Sequence, residues 1–316
     1  MEIGGFIGLE CNDDKPYHDD CLSFNSCNNA LRYYIAKKGI KHIYMPIYTC
    51  PSVWNAVINS GCSVTPYEID YNFYPLINFP KDEKTFFIYT NYFGLFEDNV
   101  EQLCGDNVNC IVDNAQAFFS KAKGSAAIYS PRKFFGIPDG GLLISNLSDN
   151  SELAQSYSYD SCMHLLKRVD LSSDEAYPDY RLNEDKIERL PIKRMSTLTH
   201  SILNSINYDM VKQKRIRNYR HLSNKLSSLN LHNIDLTKDS VPMVYPFFTT
   251  DQNLRRKLIA NKVYVATYWN PDGRSVCMTS ESATNLRDSL IPLPIDQRYS
   301  IEEMDTVVDI LVDEID

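Results

Sequence analysis

The sequence predicts an α/β protein with a mostly parallel sheet, followed by a smaller C-terminal α+β domain. Between residues 23 and 145, short apolar segments rich in β-formers alternate with helical segments, as in βαβ units. Thr85–Asn91 is a nearly continuous apolar run, which is typical of a strand buried on both faces. After Asn146 the pattern changes, because residues 147–185 are polar without a clear period.

The hydrophobic periodicity of the sequence, together with glycines that end helices, predicts the elements of the large domain. Strands are predicted at His42–Ile47, Ser63–Ile69, Thr85–Asn91, Cys110–Asp113, Ala126–Tyr129 and Leu142–Ser145, and helices at Asn28–Lys38, Ser52–Ser60 and around Val100–Cys104. Gly39 and Gly61 end the first two helices.

The C-terminal part combines long helices with a few strands. Residues 190–230 are largely helical, and strands are predicted at Met243–Thr249 and Val263–Thr267. A last helix is predicted at Ile301–Ile315, preceded by Ser300 in capping-box spacing with Glu303. We expect residues 1–190 to form the large domain and residues 191–316 the connecting helices and the small domain.

Composition excludes several classes of function. The chain of 316 residues has 32 Lys and Arg against 41 Asp and Glu, and this net charge of −9 argues against binding nucleic acid. Its nine cysteines form no CxxC pair, and the histidines show no metal-ligand spacing, so we expect reduced thiols, a cytoplasmic location and no metal site. Neither a signal peptide nor an apolar run of about 20 residues is present, so we expect no membrane association.

Asp113 follows a buried strand and begins the segment Asp-Asn-Ala-Gln. Ligands of parallel α/β sheets gather outside the carboxyl ends of strands, so an acid there is well placed to meet one. The same spacing between Asp113 and Gln116 is that of a capping box, so Asp113 could instead only cap a following helix.

Lys133 lies in a connection between two predicted strands that holds three of the 12 glycines of the chain, namely Gly136, Gly140 and Gly141. Its neighbours Phe134, Phe135 and Ile137 predict an apolar setting, which would lower the pKa of its ammonium group and favour the neutral amine that Schiff-base chemistry requires. Taken alone, the segment could instead be a surface turn with an incidental lysine. A Walker phosphate loop is excluded, because Gly-Lys-Ser/Thr is missing.

An acid at a strand end and a lysine in a later turn together suggest pyridoxal phosphate as cofactor. The acid would keep the pyridine nitrogen protonated, and the lysine would form the internal aldimine.

Six segments, in chain order, resemble motifs of the DegT/DnrJ/EryC1/StrS sugar aminotransferases, which are fold type I pyridoxal-phosphate enzymes. These segments are Ser26–Leu31, Met45–Cys50, Gly61–Asp70, Asn91–Gly94, Val112–Gln116 and Lys133–Gly141, and the closing Leu293–Ile295 fits a Leu-Pro element of the small domain. The resemblance implies a sheet of the seven-stranded type and a homodimer with shared active sites. It also implies a cytoplasmic enzyme that transfers an amino group from glutamate or glutamine to a nucleotide-linked keto-sugar, in the biosynthesis of surface polysaccharides or glycosylated natural products.

The resemblance also implies roles for single residues. Lys133 would carry the aldimine and move the proton, while Asp113 would pair with the pyridinium nitrogen. Ala115 would pack against the ring and Gln116 would bind its phenolic oxygen. Cys27 and Asn28, with Ser130 as a weaker candidate, would bind the phosphate.

Two departures from the family pattern bear on these roles. Cys27 replaces a glycine, so the turn there must have a conformation that a side chain tolerates. Cys50 stands where many members place the aromatic residue that stacks on the ring, and Tyr48 and Trp54 are candidates to replace it. A non-catalytic binding protein of this group therefore stays an alternative. A sugar dehydratase is disfavoured, because those enzymes carry histidine at the position of Lys133.

Overall fold

A seven-stranded sheet forms the centre of the protein. The computed structural model describes residues 5–12, 14–80, 82, 85–106, 109–270 and 280–315. The strands are β1 (Leu22–Phe24), β2 (His42–Pro46), β3 (Ser63–Tyr67), β4 (Phe86–Thr90), β5 (Cys110–Asn114), β6 (Ala126–Tyr129) and β7 (Gly141–Ser145). Their order is β1-β7-β6-β5-β4-β2-β3, and β7 alone runs in the opposite direction to the other six strands. The mostly parallel sheet that the sequence predicts is confirmed.

Apolar side chains cover both faces of this sheet, because alternate residues of a strand point to opposite sides. In β5, Ile111 belongs to the cluster that packs on the first two helices, while Cys110 and Val112 belong to a larger cluster on the other face. All five residues of β5 are buried. A strand buried on both faces needs no polar alternation, and this explains the continuous apolar runs in the sequence.

Ten helices surround the sheet and build the C-terminal part of the described chain. They are α1 (Cys27–Lys38), α2 (Pro51–Ile58), α3 (Glu97–Asp106), α4 (Met163–Asp170), α5 (Ser173–Glu188), α6 (Thr197–Asn204), α7 (Tyr208–Leu226), α8 (Leu254–Ala260), α9 (Glu281–Ser289) and α10 (Ile301–Glu314). Two further strands, β8 (Val244–Phe248) and β9 (Leu290–Pro294), pair antiparallel in a separate sheet. Where the chain is described, no helix combines the length and the apolar character needed to cross a membrane.

Local signals account for the ends of the best-predicted helices. The Ser26 hydroxyl accepts a hydrogen bond from the amide of Asn29 at the start of α1, and Gly39 ends that helix in the left-handed conformation. Ser300 and Glu303 form the predicted capping box at the start of α10.

Three sequence-based expectations differ from the structure. The polar segment 147–185 is not irregular, since it contains α4 and most of α5. Val263–Thr267 is not a strand, and the sheet partner of β8 is instead β9. The short strand β1 has no counterpart among the predicted elements. The division of the chain at residues 190 and 191 stays a prediction.

Candidate functional site

The candidate site lies at one edge of the large sheet, where five strands end and the segments that follow them lie close together. Strands β2, β4, β5 and β6 are mutually parallel, so their carboxyl ends meet at the same edge. Strand β1 is antiparallel to β7 and therefore also ends there, which places the start of α1 at this edge. Asp113 lies near the end of β5, and the other predicted site residues each follow one of these strands.

Asp113 is the buried acid of this edge, with 2% of its surface exposed. Its Oδ1 accepts a hydrogen bond of 3.0 Å from the amide of Ala115. Burial raises the pKa of the Asp113 carboxyl, and the positive charge of Lys133 opposes that effect. The capping interpretation is wrong, because no helix begins in the ten residues after β5.

Lys133 is the last residue of a short 3-10 turn, Pro131–Lys133, which follows β6 directly. Its amide donates to the carbonyl of Ser130, and its charge acts on Asp113 and on the Cys27 thiol. The lysine and the acid are therefore neighbours at the sheet edge, although 20 positions separate them in the chain.

The expectation that apolar neighbours enclose Lys133 is wrong for the single chain. Its side chain is exposed, whereas Phe134, Phe135 and Ile137 are buried in the core cluster. The physical reason is that successive side chains of a tight turn point in different directions, so adjacent apolar residues do not define the environment of the lysine.

A buried carboxylate that sequence reasoning missed holds this turn in place. Asp139 accepts hydrogen bonds from the amide and the hydroxyl of Ser196, at 3.1 and 2.9 Å, and from the hydroxyl of Thr199. Ser196 is the N-cap of α6, so Asp139 also lies at the positive end of that helix. The turn that carries Lys133 is thereby fixed to an element that lies about 60 residues further along the chain.

The start of α1 provides an anion-binding geometry. Ser26 caps the amide of Asn29, which leaves the amides of Cys27 and Asn28 without a partner inside the helix. The Asn28 side chain makes no hydrogen bond with any described residue. Cys27 has a helical backbone and is not among the described residues with positive φ, so the side chain that replaces glycine is tolerated without strain. Burial raises the pKa of the Cys27 thiol well above its ordinary value.

Gly141 packs directly against this helix start. A Cβ atom at Gly141 would lie 2.2 Å from the carbonyl carbon of Ser26 and 2.3 Å from the nitrogen of Cys27. Its neighbour Gly140 has φ +131°, a conformation that side chains rarely adopt. The two glycines therefore bring the turn of Lys133 and the start of α1 into contact.

Gln116 has an unused donor at the site. It is 1% exposed, and its Oε1 accepts a hydrogen bond of 3.3 Å from the amide of Phe93. No described group pairs with its Nε2, although the atom is buried. Because an unpaired buried donor costs free energy, this atom indicates a partner that the protein chain does not itself supply.

Of the aromatic candidates for stacking, Trp54 is excluded. It is buried in the core cluster on the opposite face from Tyr48, and its Nε1 donates to the carbonyl of Pro46. Tyr48 is also buried and lies against Trp269, with ring centroids 5.0 Å apart, while its hydroxyl has no hydrogen-bond partner among the described residues. Cys50 is half-buried beside Cys27, and its charge interaction with Tyr268 places that second aromatic residue near it.

Ser130 and Ala115 are the remaining predicted site residues. Both are buried, and the Ser130 hydroxyl makes no hydrogen bond with a described residue. Asp113, Lys133 and Cys50 lie close enough to Cys27 for their charges to act on its thiol, and the charge of Lys133 also acts on Asp113. Ser130 comes three residues before Lys133 in the chain, and Ala115 comes two residues after Asp113.

The raised pKa of Asp113 predicts a stability effect. Because the folded-state pKa lies above the ordinary value of 3.8, the ionised carboxylate destabilises the folded chain at higher pH. We expect Asp113→Asn to raise the unfolding free energy of the cofactor-free protein at pH 7 by about 1 kcal/mol. The gain should shrink as the pH falls toward 4, as measured by urea unfolding between pH 4 and 8. An equal or lower stability of the variant at pH 7 would contradict the buried, ionised carboxylate.

Comparison with known proteins identifies the fold. No protein-family model and no curated protein matches the sequence. Solved structures do match it: a DegT DnrJ EryC1 StrS aminotransferase from Brucella abortus has a TM-score of 0.64 at 14% identity, covering 93% of this chain and 85% of that one. PseC of Helicobacter pylori, an aminotransferase involved in the biosynthesis of pseudoaminic acid, has a TM-score of 0.61 at 16% identity and coverages of 93% and 86%. DesV of S. venezuelae has a TM-score of 0.63 at 16% identity, covering 94% of this chain and 85% of that one. The chain therefore has the fold of these aminotransferases, as its motifs predict.

Proposed function

We propose that the protein is a pyridoxal-phosphate-dependent aminotransferase that transfers an amino group from glutamate or glutamine to a nucleotide-linked keto-sugar. The observation that carries the proposal is the convergence of the buried Asp113 and of Lys133 at the carboxyl edge of the sheet. A carboxylate for the ring nitrogen and a primary amine are the two groups that this cofactor requires. The shared fold supports the reaction class, and the motifs support a setting in cytoplasmic polysaccharide biosynthesis.

The polar groups of the site fit the cofactor. The free Nε2 of Gln116 would donate to the phenolic oxygen, and Asp113 would pair with the ring nitrogen. Ala115 would pack against the ring from its position between these two residues. Each assignment uses a group that the folded chain leaves available.

The phosphate would bind at the start of α1. The amides of Cys27 and Asn28, the Asn28 side chain and the Ser130 hydroxyl are the donors there. Tyr48, Cys50 and Tyr268 would lie on the open side of the ring. Because Cys50 is small, we propose that an aromatic residue from the small domain takes part in covering the ring.

Once bound, the cofactor supplies an electron sink for the negative charge that develops on the substrate carbon. Asp113 would keep a proton on the ring nitrogen, and its burial would strengthen that interaction because water does not screen it. Lys133 would be the primary amine that holds the cofactor, and when free its Nζ would take up and return the proton of the donor carbon.

Spectroscopy tests the proposed reaction. We expect the purified protein to bind pyridoxal phosphate with a visible absorption band that glutamate or glutamine bleaches. Addition of a nucleotide-linked keto-sugar should restore the band, and a panel of such sugars would identify the acceptor. A band that neither amino donor bleaches would contradict transamination and favour the non-catalytic alternative.

We also propose a homodimer, because α4 and α5 expose large apolar side chains. Val169 is 85% exposed and Leu166 60%, and both lie on α4. Others on this surface are Met163, Tyr177, Tyr180 and Leu182. Apolar patches of this kind mark protein interfaces.

A charge in this patch should separate the subunits. We expect Val169→Asp to elute as a monomer in size-exclusion chromatography with light scattering at micromolar concentration, because the new carboxylate would be buried unpaired. Val312→Asp on α10, at a residue that is 48% exposed, is the matched control and should leave the dimer intact. A wild-type protein that is monomeric under these conditions would contradict the proposal.

A further inference from the structure

Arg215, on α7, is buried in the core with 1% of its surface exposed. Burial lowers the pKa of its guanidinium group to about 10, so the group keeps its positive charge at pH 7. The charge of Asp296 acts on it, but Arg298 binds both carboxylate oxygens of Asp296, at 2.7 and 2.8 Å. Taking a charge out of water costs free energy, and an apolar residue could fill the same space without that cost. The roles proposed above give no reason for this arginine.

The hydrogen bonds of Arg215 connect α7 to two other segments of the chain. Its Nη1 donates to the carbonyls of Pro242 and Met243, at 3.3 and 3.0 Å, just before β8. Its Nε donates at 3.0 Å to Oε1 of Gln297, three residues after the end of β9. All three acceptors are uncharged. The planar guanidinium group therefore fixes the relative positions of α7 and of these two segments.

Gln297 connects Arg215 to the turn that carries Lys133. Its Nε2 donates at 2.7 Å to the carbonyl of Phe134, the residue after Lys133. A side-chain amide has one acceptor end and one donor end, whereas a guanidinium group can only donate. Because Arg215 binds the acceptor end of Gln297, it keeps the donor end turned toward the Phe134 carbonyl.

Arg215 also contacts the side chain of Phe134 directly. The Cζ atom of the guanidinium group lies over the Phe134 ring, 4.6 Å from its centroid, which is a favourable position for a cation. Phe134 is 3% exposed, and its amide donates at 3.0 Å to the carbonyl of Pro131 in the turn. The ring and the carbonyl of the residue next to Lys133 are therefore both fixed by way of Arg215.

The position of the Lys133 amine depends on the backbone of this turn. Because the lysine side chain is exposed, packing around the side chain does not fix it. Asp139 fixes the segment six residues further on, through its hydrogen bonds with Ser196. Arg215 and Gln297 fix it directly beside the lysine.

We infer that Arg215 is a positioning residue for Lys133, acting through Gln297 and Phe134, a role that rests on the proposed function for the reaction itself. A displacement of about 1 Å of a reacting group can lower a rate by about 10²-fold. Loss of the contacts of Arg215 should therefore slow the step that Lys133 performs, without changing how tightly the amino donor binds.

Two variants remove these contacts in different ways. Arg215→Met replaces the guanidinium group by an apolar side chain, and this removes both the ring contact and the bond to Gln297. Gln297→Glu keeps the shape of the side chain and still accepts from Arg215, but a carboxylate cannot donate to the Phe134 carbonyl. The second variant decides the test if the first does not fold.

Hydrogen exchange of the full chain without cofactor measures the fixation of the turn. The amide of Lys133 donates to the carbonyl of Ser130 at 3.1 Å, and the amide of Phe134 donates to Pro131. We expect both amides to exchange at least about tenfold faster in the two variants than in the wild type, because the turn opens more often. Mass spectrometry of the peptide that contains the turn gives these rates.

The reaction with glutamate alone measures the consequence for Lys133. The loaded protein is mixed with glutamate, and the loss of the visible band is followed in a single turnover. We expect the rate constant at saturating glutamate to fall by at least about tenfold in both variants. The Kd of glutamate, taken from the concentration dependence, should stay within about twofold of the wild-type value.

Asn230→Ala is the matched control, because it removes another buried polar side chain from the C-terminal part. Asn230 is 7% exposed, and its Nδ2 donates at 3.0 Å to the carbonyl of Pro246 in β8. This variant should lose stability but keep the wild-type exchange of the turn and the wild-type rate constant. An equal effect of Asn230→Ala would overturn the inference, as would wild-type exchange or a wild-type rate constant in Gln297→Glu.

Failure of the inference can be told apart from failure of the proposed function. Attachment of pyridoxal phosphate and its conversion by glutamate are measured on the wild-type protein. A protein that passes those two tests, but whose Gln297→Glu variant behaves like the wild type, keeps the proposed function and overturns the inference. A protein that takes no cofactor contradicts the proposed function, while hydrogen exchange still decides whether Arg215 fixes the turn.

Discussion

Replacement of Lys133 by alanine is expected to lower the rate of amino transfer by at least about 10⁴-fold. The variant loses both the covalent attachment of the cofactor and the amine that moves the proton, and each of these contributes a large factor. Stability should change by less than about 0.5 kcal/mol, because the side chain is exposed and forms no hydrogen bond with a described residue. Transamination assays with glutamate, together with thermal unfolding, measure both effects.

Lys121→Ala is the matched control for this prediction. Lys121 is exposed and lies shortly before β6, the strand that leads to Lys133. We expect this variant to keep the rate of the wild type. Activity retained by Lys133→Ala, or lost equally by Lys121→Ala, would remove Lys133 from the reaction.

Replacement of Gly141 by alanine is expected to cost more than about 4 kcal/mol of unfolding free energy. A Cβ atom there would lie 2.2 Å from the carbonyl carbon of Ser26, and backbone atoms at a helix start have no room to move away. The strain would separate the turn of Lys133 from the start of α1. We therefore expect the variant either not to fold or to fold without binding pyridoxal phosphate.

Gly136→Ala separates this steric argument from a general sensitivity of the turn. A Cβ atom at Gly136 would meet only a side-chain carbon of Leu165 at 3.6 Å, which is an ordinary contact. This variant should keep its stability within about 1 kcal/mol and should bind the cofactor. Urea unfolding and cofactor absorbance measure both variants, and equal behaviour of the two would contradict the close approach at Gly141.

The parts of the fold that depend on local signals could be predicted from the sequence. Helix α1 has a serine cap, an apolar face and the left-handed Gly39, and β5 is a short apolar run that leads into Asp113 and Asn114. The order of strands and helices then leaves few topologies for the sheet. The positions of Asp113 and Lys133 at one edge follow from this topology together with the order of the motifs.

The parts that depend on distant pairing could not be predicted. The Val263–Thr267 segment has the composition of a strand, yet β8 pairs with β9, whose two prolines make it a poor strand by composition. The hydrogen bonds that Asp139 accepts from Ser196 and Thr199 join residues about 60 positions apart, and no local sequence pattern predicts them.

The environment of Lys133 could not be predicted from the sequence either. Its apolar neighbours suggested an enclosed amine, but their side chains turn into the core while Lys133 faces outward. In the proposed dimer, the bound cofactor, the substrate and the second subunit would provide the enclosure. The sequence of one chain would not reveal this enclosure, because the enclosing groups would belong to other molecules.

Borohydride reduction followed by peptide mapping tests the central claim most directly. The protein is incubated with pyridoxal phosphate, reduced and digested, and the modified peptide is identified by mass spectrometry. We expect one pyridoxyl group per chain, attached to Lys133. A label on any other lysine, or no label under conditions in which the protein is folded, would contradict the assignment of Lys133 and with it the proposed function.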